Sequence, residues 1–190
     1  MKKLWMLFSV ILVLSCTKKT ESIPLSFYYW KTNFQLTETE KQYLNDLDVA
    51  KLYIRYFDIS LKDSIAIPVA PVVFNQNVEA YEVVPVVYIK NEVFLQNGAA
   101  DSLAVKVYNY IQQINKSANV SVDEIQFDCD WSLKSKHNYF QFLEEFKKLH
   151  PNLSATIRLH QIKYPDKTGI PDVDKGVLMY YNMGVISSGD

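Results

Sequence analysis

Residues 124–131 read EIQFDCDW, and residues 153–161 read LSATIRLHQ. Both are short runs rich in β-branched and aromatic residues bounded by polar segments, which predicts a β-strand in each. A helix is predicted between them, because the apolar side chains there recur every three or four residues. These side chains are Tyr139, Phe140, Leu143, Phe146 and Leu149. Strand, helix and strand in succession predict two parallel strands joined by a crossover helix.

The same alternation extends along the chain in both directions from this unit. Thr37 and Glu40 have the spacing of a capping box, which predicts the start of a helix there. A connection that contains Pro68 and Pro71 is predicted to have no regular structure. The further strands are predicted at residues 23–30, 49–59, 83–89 and 176–183, the further helices at residues 37–47 and 101–114, and the long connection at residues 60–78.

Six strands that alternate with helices indicate an α/β fold with a mostly parallel sheet and helices outside it. A doubly wound sheet and a (β/α)8 TIM-type barrel both fit this pattern. We favour the barrel for residues 23–190 and expect it to be incomplete, with about six strands, because a full barrel typically needs about 250 residues. The sequence ends soon after the sixth predicted strand, so we expect that it is truncated before strands seven and eight.

The N-terminus has the pattern of an export signal. Met1-Lys2-Lys3 is positively charged, and the apolar run at residues 4–14 is shorter than the roughly 20 residues that cross a bilayer. Residues 1–15 are therefore interpreted as a signal peptide. An ordinary signal peptide followed by a chance cysteine, or an uncleaved anchor, are the alternatives.

Val13-Leu14-Ser15-Cys16 resembles the lipobox of bacterial lipoproteins. The resemblance implies that Cys16 is lipidated with acyl chains such as palmitate and that residues 16–22 form the lipidated end and its tether. Membrane lipid is then the first expected partner. The protein is expected to be lipid-anchored on the extracytoplasmic side of the cell membrane or the outer membrane.

Composition argues against several function classes. The net charge of −1 gives no electrostatic footprint for nucleic acid. Cys16 and Cys129 are the only cysteines, so no disulfide framework is expected. Neither a Cys/His cluster with ligand spacing nor a glycine-rich phosphate loop is present, so we expect no metal and no other cofactor.

The candidate site lies where the predicted strands end, because parallel α/β folds carry their chemistry at the carboxyl ends of the strands. Residues two apart share one face of a strand, so Gln126, Asp128 and Asp130 should lie together. Buried carboxylates need partners. Arg158 on the next strand is predicted to be near both aspartates, with His160 beyond it on the same face.

Other strands add aromatic and polar side chains at the same edge. Aromatic rings suit the stacking of sugar rings, although most aromatic residues in proteins are simply core. A structural salt bridge, a surface arginine and a hydrogen-bonded loop histidine are the plainer interpretations of the polar residues. Taken together, the set predicts a pocket with a possible glycan ligand. The additional candidate contacts are Tyr28, Trp30, Arg55, Tyr181 and Asn182.

Asp128-Cys129-Asp130-Trp131 resembles the DxDxE segment of chitinase-like glycoside hydrolases. Met179-Tyr180-Tyr181-Asn182 is similar to the M-x-Y-D/N segment on their sixth strand. The resemblance implies a (β/α)8 barrel that acts on carbohydrate, with Asp128 and Asp130 in the catalytic site and Tyr181 and Asn182 on the substrate. Ser132 stands where that family has its glutamate proton donor, and a serine hydroxyl does not titrate near neutral pH.

Three hypotheses follow for a lipid-anchored barrel. In the first, Asp130 is the acid of a glycoside hydrolase, with its pKa raised by the neighbouring Asp128. In the second, the cleft binds carbohydrate without hydrolysing it. In the third, the chain is a catalytically inactive structural or interaction lipoprotein whose barrel polar groups serve stability. Carbohydrate binding or processing is the leading expectation.

Overall fold

The computed structural model describes residues 23–96 and 100–180. The predicted signal peptide, the lipidation site Cys16 and the predicted contacts Tyr181 and Asn182 lie outside the described residues. The strands are β1 (Ser26–Tyr29), β2 (Asn33–Phe34), β3 (Lys51–Lys62), β4 (Ile65–Val69), β5 (Val73–Phe74), β6 (Glu82–Ile89), β7 (Ile125–Asp128), β8 (Leu153–Arg158) and β9 (Lys175–Met179). The helices are α1 (Glu38–Asp46), α2 (Ala100–Ala118), α3 (Lys136–Lys147), α4 (Leu159–Lys163) and α5 (Pro165–Thr168), with a 3-10 helix at Asn91–Leu95.

Six parallel strands form one sheet in the order β1-β3-β6-β7-β8-β9. The order in the sheet follows the order in the chain without a reversal, which excludes the doubly wound alternative because that fold needs a switch point. The sheet is curled into a half-barrel. Tyr28 on β1 and Gln126 on β7 stand three strand spacings apart, about 14 Å in a flat sheet. Their side chains nevertheless form a hydrogen bond of 2.7 Å across the concave face.

The convex face of the sheet packs against the helices and forms the core. Phe127 on β7 meets Phe142 and Phe146 of α3, with ring centroids 5.1 and 4.7 Å apart. In the same way Phe57 on β3 lies 4.8 Å from the Tyr110 ring of α2. Each fully buried phenylalanine contributes about 1.5–3 kcal/mol through the hydrophobic effect. The helices therefore cover one face of the sheet and leave the concave face to other side chains.

A bulge in β3 decides which residues reach the concave face. The register with β6 shifts between Arg55 and Phe57, and both Tyr56 and Phe57 point toward α2. Tyr56 donates a hydrogen bond of 2.9 Å to Asn115 of that helix. Because the bulge inserts one extra residue, Asp58 returns to the same face as Arg55.

The connection predicted at residues 60–78 is not irregular, so this prediction is wrong. β3 continues to Lys62 and reverses into β4 through Asp63 and Ser64, whose φ angles are 50° and 64°. Two residues at positive φ are typical of a tight type I′ hairpin turn. The turn contains no glycine and no asparagine, so the usual sequence signal is missing. β5 also lies in this stretch and pairs with β2.

Two predicted strands run too far at their carboxyl ends. β7 ends at Asp128 rather than at Trp131, and β8 ends at Arg158 rather than at residue 161. The backbone N–H of Arg158 donates to the Gln161 side chain over 2.7 Å, so the chain turns into α4 directly after the strand. No helix among the described residues has the length and the apolar character needed to cross a bilayer.

Candidate functional site

The concave face carries polar side chains that satisfy one another although they are buried. Gln126, Ser154 and Thr156 are at most 0 % exposed, and Asp128 is 4 % exposed. Tyr28 donates to the Gln126 side-chain carbonyl, whose amide group donates in turn to Ser154 over 3.3 Å. Buried polar groups are tolerated when they have hydrogen-bond partners. The concave face is therefore an ordered polar surface rather than a second apolar core.

Arg158 joins the two predicted catalytic aspartates. Its Nη2 donates to Asp128 over 3.2 Å, and its Nε donates to Asp130. Thr156, beside Asp128 on the neighbouring strand, donates to the same carboxylate over 2.6 Å. The predicted proximity of Arg158 to both aspartates is confirmed. Asp128 forms the floor of the arrangement, whereas the Asp130 side chain is 55 % exposed at its rim.

Burial raises the pKa of Asp128 above the ordinary carboxyl value. The hydrogen bond from Thr156 and the positive charge of Arg158 oppose the rise, and the charge of Asp130 adds to it. The first hypothesis gave the raised pKa to Asp130. The structure assigns it to Asp128 instead, because that carboxyl group is the one removed from water.

Arg55 lies at the same end of the sheet and is held by Asp58. Its Nε and Nη2 donate to the two carboxylate oxygens over 2.8 and 2.6 Å, the paired geometry that a guanidinium prefers. The strand register places Asp58, Tyr88 and Asp128 side by side on β3, β6 and β7. Neither Asp58 nor Tyr88 was a predicted site residue. The bulge hides Asp58 from an argument based on alternation, and Tyr88 occurs in an otherwise apolar strand.

An aromatic stack borders these polar groups. The Tyr28 ring lies between Trp30, at a centroid distance of 5.8 Å, and Tyr53, at 4.9 Å. Trp30 is 44 % exposed, so one face of the stack is open to solvent. Gln126 connects the stack to the aspartates, because it binds Tyr28 and lies two residues before Asp128 on the same face.

His160 is not part of this arrangement, so its predicted place on the strand is wrong. It lies in α4, is exposed, and its side chain makes no hydrogen bond or ion pair within the described ranges. The physical reason is the Gln161 cap, which ends β8 two residues earlier than the alternation suggested.

A second polar cluster lies at the opposite, amino end of the sheet. The Glu124 side chain is 1 % exposed and accepts from Lys175 over 2.6 Å and from Lys51 over 3.4 Å. Burial acts to raise the pKa of Glu124, but hydrogen bonds from Lys175 and Ser154 outweigh it and lower the pKa overall. Sequence reasoning missed this cluster. In barrels, polar groups at this end of the strands serve stability rather than chemistry.

The carboxyl end of the sheet therefore offers hydrogen-bond acceptors, guanidinium donors and an exposed aromatic face, a combination suited to a ligand that carries several hydroxyl groups. Within residues 23–96 and 100–180, no group of three or more His, Cys, Asp or Glu side chains is placed to hold a metal ion. Comparisons with family models, with curated proteins and with solved structures gave no match to this chain.

Proposed function

We propose that the chain is a membrane-anchored lipoprotein whose half-barrel binds carbohydrate at the carboxyl ends of its strands. One observation carries the proposal: the Trp30–Tyr28 stack and the Asp128–Arg158–Asp130 group are joined through Gln126 into one surface. A sugar ring has an apolar C–H face that packs on an aromatic ring and hydroxyl groups that hydrogen-bond to carboxylates.

The six parallel strands are proposed to belong to a (β/α)8 TIM-type barrel that is incomplete here. The sheet order that follows the chain order, the helices on the convex face and the curvature of the sheet all support this assignment. The site also lies at the end of the strands where such barrels carry their chemistry.

Binding is favoured over hydrolysis by the surroundings of two residues. Ser132 is engaged with Ser135 at the start of α3, through its backbone N–H over 2.8 Å and its hydroxyl over 3.1 Å. Asp128, whose pKa is raised, lies beneath Thr156 and Arg158 and is 4 % exposed. An acid in that position has poor access to a glycosidic oxygen. Hydrolysis is the second candidate, and the raised pKa of Asp128 is the observation in its favour.

Calorimetric titration of the purified chain with a set of soluble oligosaccharides tests the proposal, together with assays for reducing ends. We expect binding without hydrolysis, weakened at least fivefold by Asp130→Asn and unchanged by Asp172→Asn, a loop carboxylate outside the site. Hydrolysis lost in Asp128→Asn would favour the enzyme. Absence of binding to every oligosaccharide would leave the structural role and reject carbohydrate binding.

The lipid anchor has a test of its own. Cells that express the chain are labelled with radioactive palmitate, and the expected label on the protein disappears in Cys16→Ser. A chain that is exported but carries no label in its unaltered form contradicts the anchor and leaves the carbohydrate proposal standing.

A further inference from the structure

An apolar patch is exposed at the β1 edge of the half-barrel. We call it the edge patch and define it as Leu25, Phe27, Tyr43 and Leu47, which are 45, 43, 65 and 44 % exposed. Phe27, Tyr43 and Leu47 line a common groove of about 210 Å³ between β1 and α1. Contiguous exposed apolar surface on a soluble domain is typical of an interaction site.

The position of the patch in the chain indicates what covers it. Leu25 lies nine residues after Cys16, and Ile23, which is 85 % exposed, comes before it. A tether from Cys16 to Ile23 spans at most about 25 Å, at roughly 3.3–3.6 Å per residue. An acyl group on Cys16 therefore keeps the edge patch within reach of the bilayer surface, whichever way the domain turns.

We propose that the edge patch rests in the interfacial layer of the membrane, so that the protein stands on its β1–α1 edge. The inference goes beyond carbohydrate binding and rests on the lipid-anchor part of the proposed function. Tyrosine, phenylalanine and leucine are residue types that enter this layer, because it receives apolar rings and keeps the tyrosine hydroxyl in water.

The charges around the patch show which force holds it. Helix α1 carries Glu38, Glu40 and Asp46, and its lysine, Lys41, is already paired with Glu38 over 2.7 Å. This surface has no excess positive charge to attract anionic lipid. The contact is apolar, and it does not depend on the fraction of phosphatidylglycerol in the bilayer.

The contact also sets the direction in which the site faces. The tether enters β1 at its amino end, and Leu47, which follows α1, leads back to the amino end of β3. Since the strands are parallel, their amino ends lie toward the membrane. Asp130 and Arg158, at the carboxyl ends, then face away from the bilayer, where a glycan can reach them.

Fluorescence quenching measures this orientation. The lipidated protein is placed in vesicles of phosphatidylethanolamine and phosphatidylglycerol whose acyl chains carry bromine, a contact quencher of tryptophan. Trp30→Phe is the background, and the buried Trp131, 4 % exposed, supplies a constant signal. The reporter is Tyr43→Trp on the patch. Its matched control is Leu133→Trp, at a position 62 % exposed beyond the carboxyl end of β7.

We expect quenching at least threefold stronger with Tyr43→Trp than with Leu133→Trp, at any phosphatidylglycerol fraction, and its loss when Phe27→Ser and Leu47→Ser are added. Equal quenching of the two reporters overturns the proposal. Cross-linking of the patch to a second copy, or quenching only with anionic lipid, overturns it as well. Palmitate labelling on the same samples separates the cases, since a missing label is a failure of the anchor, whereas a labelled but unquenched protein is a failure of docking alone.

Discussion

Arg158 on β8 donates to the buried carboxylate of Asp128 on β7 over 3.2 Å, and the side chains of the pair are 12 and 6 % exposed. Removing one partner of a buried pair leaves the other charge without compensation, which typically costs 3–5 kcal/mol. Because Thr156 also binds Asp128 and Asp128 can take up a proton, we expect Arg158→Met to lower the free energy of unfolding by about 2–4 kcal/mol.

Urea denaturation at neutral pH measures this loss. The double variant Asp128→Asn and Arg158→Met should recover part of the stability, because no unpaired charge then remains. Equal losses in the single and double variants would show that the arginine acts through packing alone.

The raised pKa of Asp128 predicts a pH dependence with a definite sign. A carboxyl group with a raised pKa in the folded state binds its proton more tightly there than in the unfolded chain. The stability of the wild type relative to Asp128→Asn should therefore fall as the pH rises from the ordinary carboxyl value of 3.8 through the raised folded value, and stay level above it.

Unfolding of both proteins across that pH range tests the sign. Glu124 provides the opposite case, because its pKa is lowered in the folded state. The stability of the wild type relative to Glu124→Gln should be present above the ordinary value of 4.5 and decline as the pH falls through the lower folded value. A common slope for the two variants would contradict both assignments.

The Glu124 cluster should be a determinant of stability. Glu124→Gln keeps the shape of the side chain but removes the charge that accepts from Lys175 over 2.6 Å. Hydrogen bonds to charged groups contribute about 1.5–3 kcal/mol, and we expect a loss of that order in denaturant unfolding. Glu145→Gln, which breaks a surface pair with Lys148, should leave stability nearly unchanged. Glycan affinity should not change in either variant.

Trp30 should contribute to ligand binding without supporting the fold. Its indole is 44 % exposed and stacks on Tyr28 at 5.8 Å. Aromatic stacking adds about 0.5–1.5 kcal/mol, so Trp30→Ala should weaken glycan binding roughly two- to twelvefold in calorimetry. Tyr164→Ala, at a residue 49 % exposed outside the site, is the matched control. Equal effects of the two substitutions would remove the stack from the binding surface.

Local patterns predicted much of the fold. The capping box at Thr37 and Glu40 is present, with the Thr37 hydroxyl 3.2 Å from the Glu40 backbone nitrogen. The strand–helix alternation gave the six parallel strands. The approach of Arg158 to Asp128 and Asp130 followed from alternation on adjacent strands, because parallel register brings equivalent positions together.

The remainder depended on interactions that no short window of sequence contains. The bulge at Tyr56 depends on the packing of Tyr56 and Phe57 against α2, and it alone turns Asp58 toward Arg55. Glu124 and Lys175 are 51 positions apart in the chain. The Asp63–Ser64 turn adopts positive φ angles without glycine, so its hairpin left no recognisable signal.

The sheet order has a consequence for how the chain assembles. Every parallel strand after β1 adds to an edge formed by the strand unit before it, from β3 through β9. A polypeptide that emerges with its N-terminus first can extend such a sheet one unit at a time, and no strand has to be inserted between two that have already paired. Contacts between neighbouring units keep the sequence separation of each pairing short, which favours rapid folding. Growth by addition to a single edge lets the domain acquire structure while the rest of the chain is still being delivered.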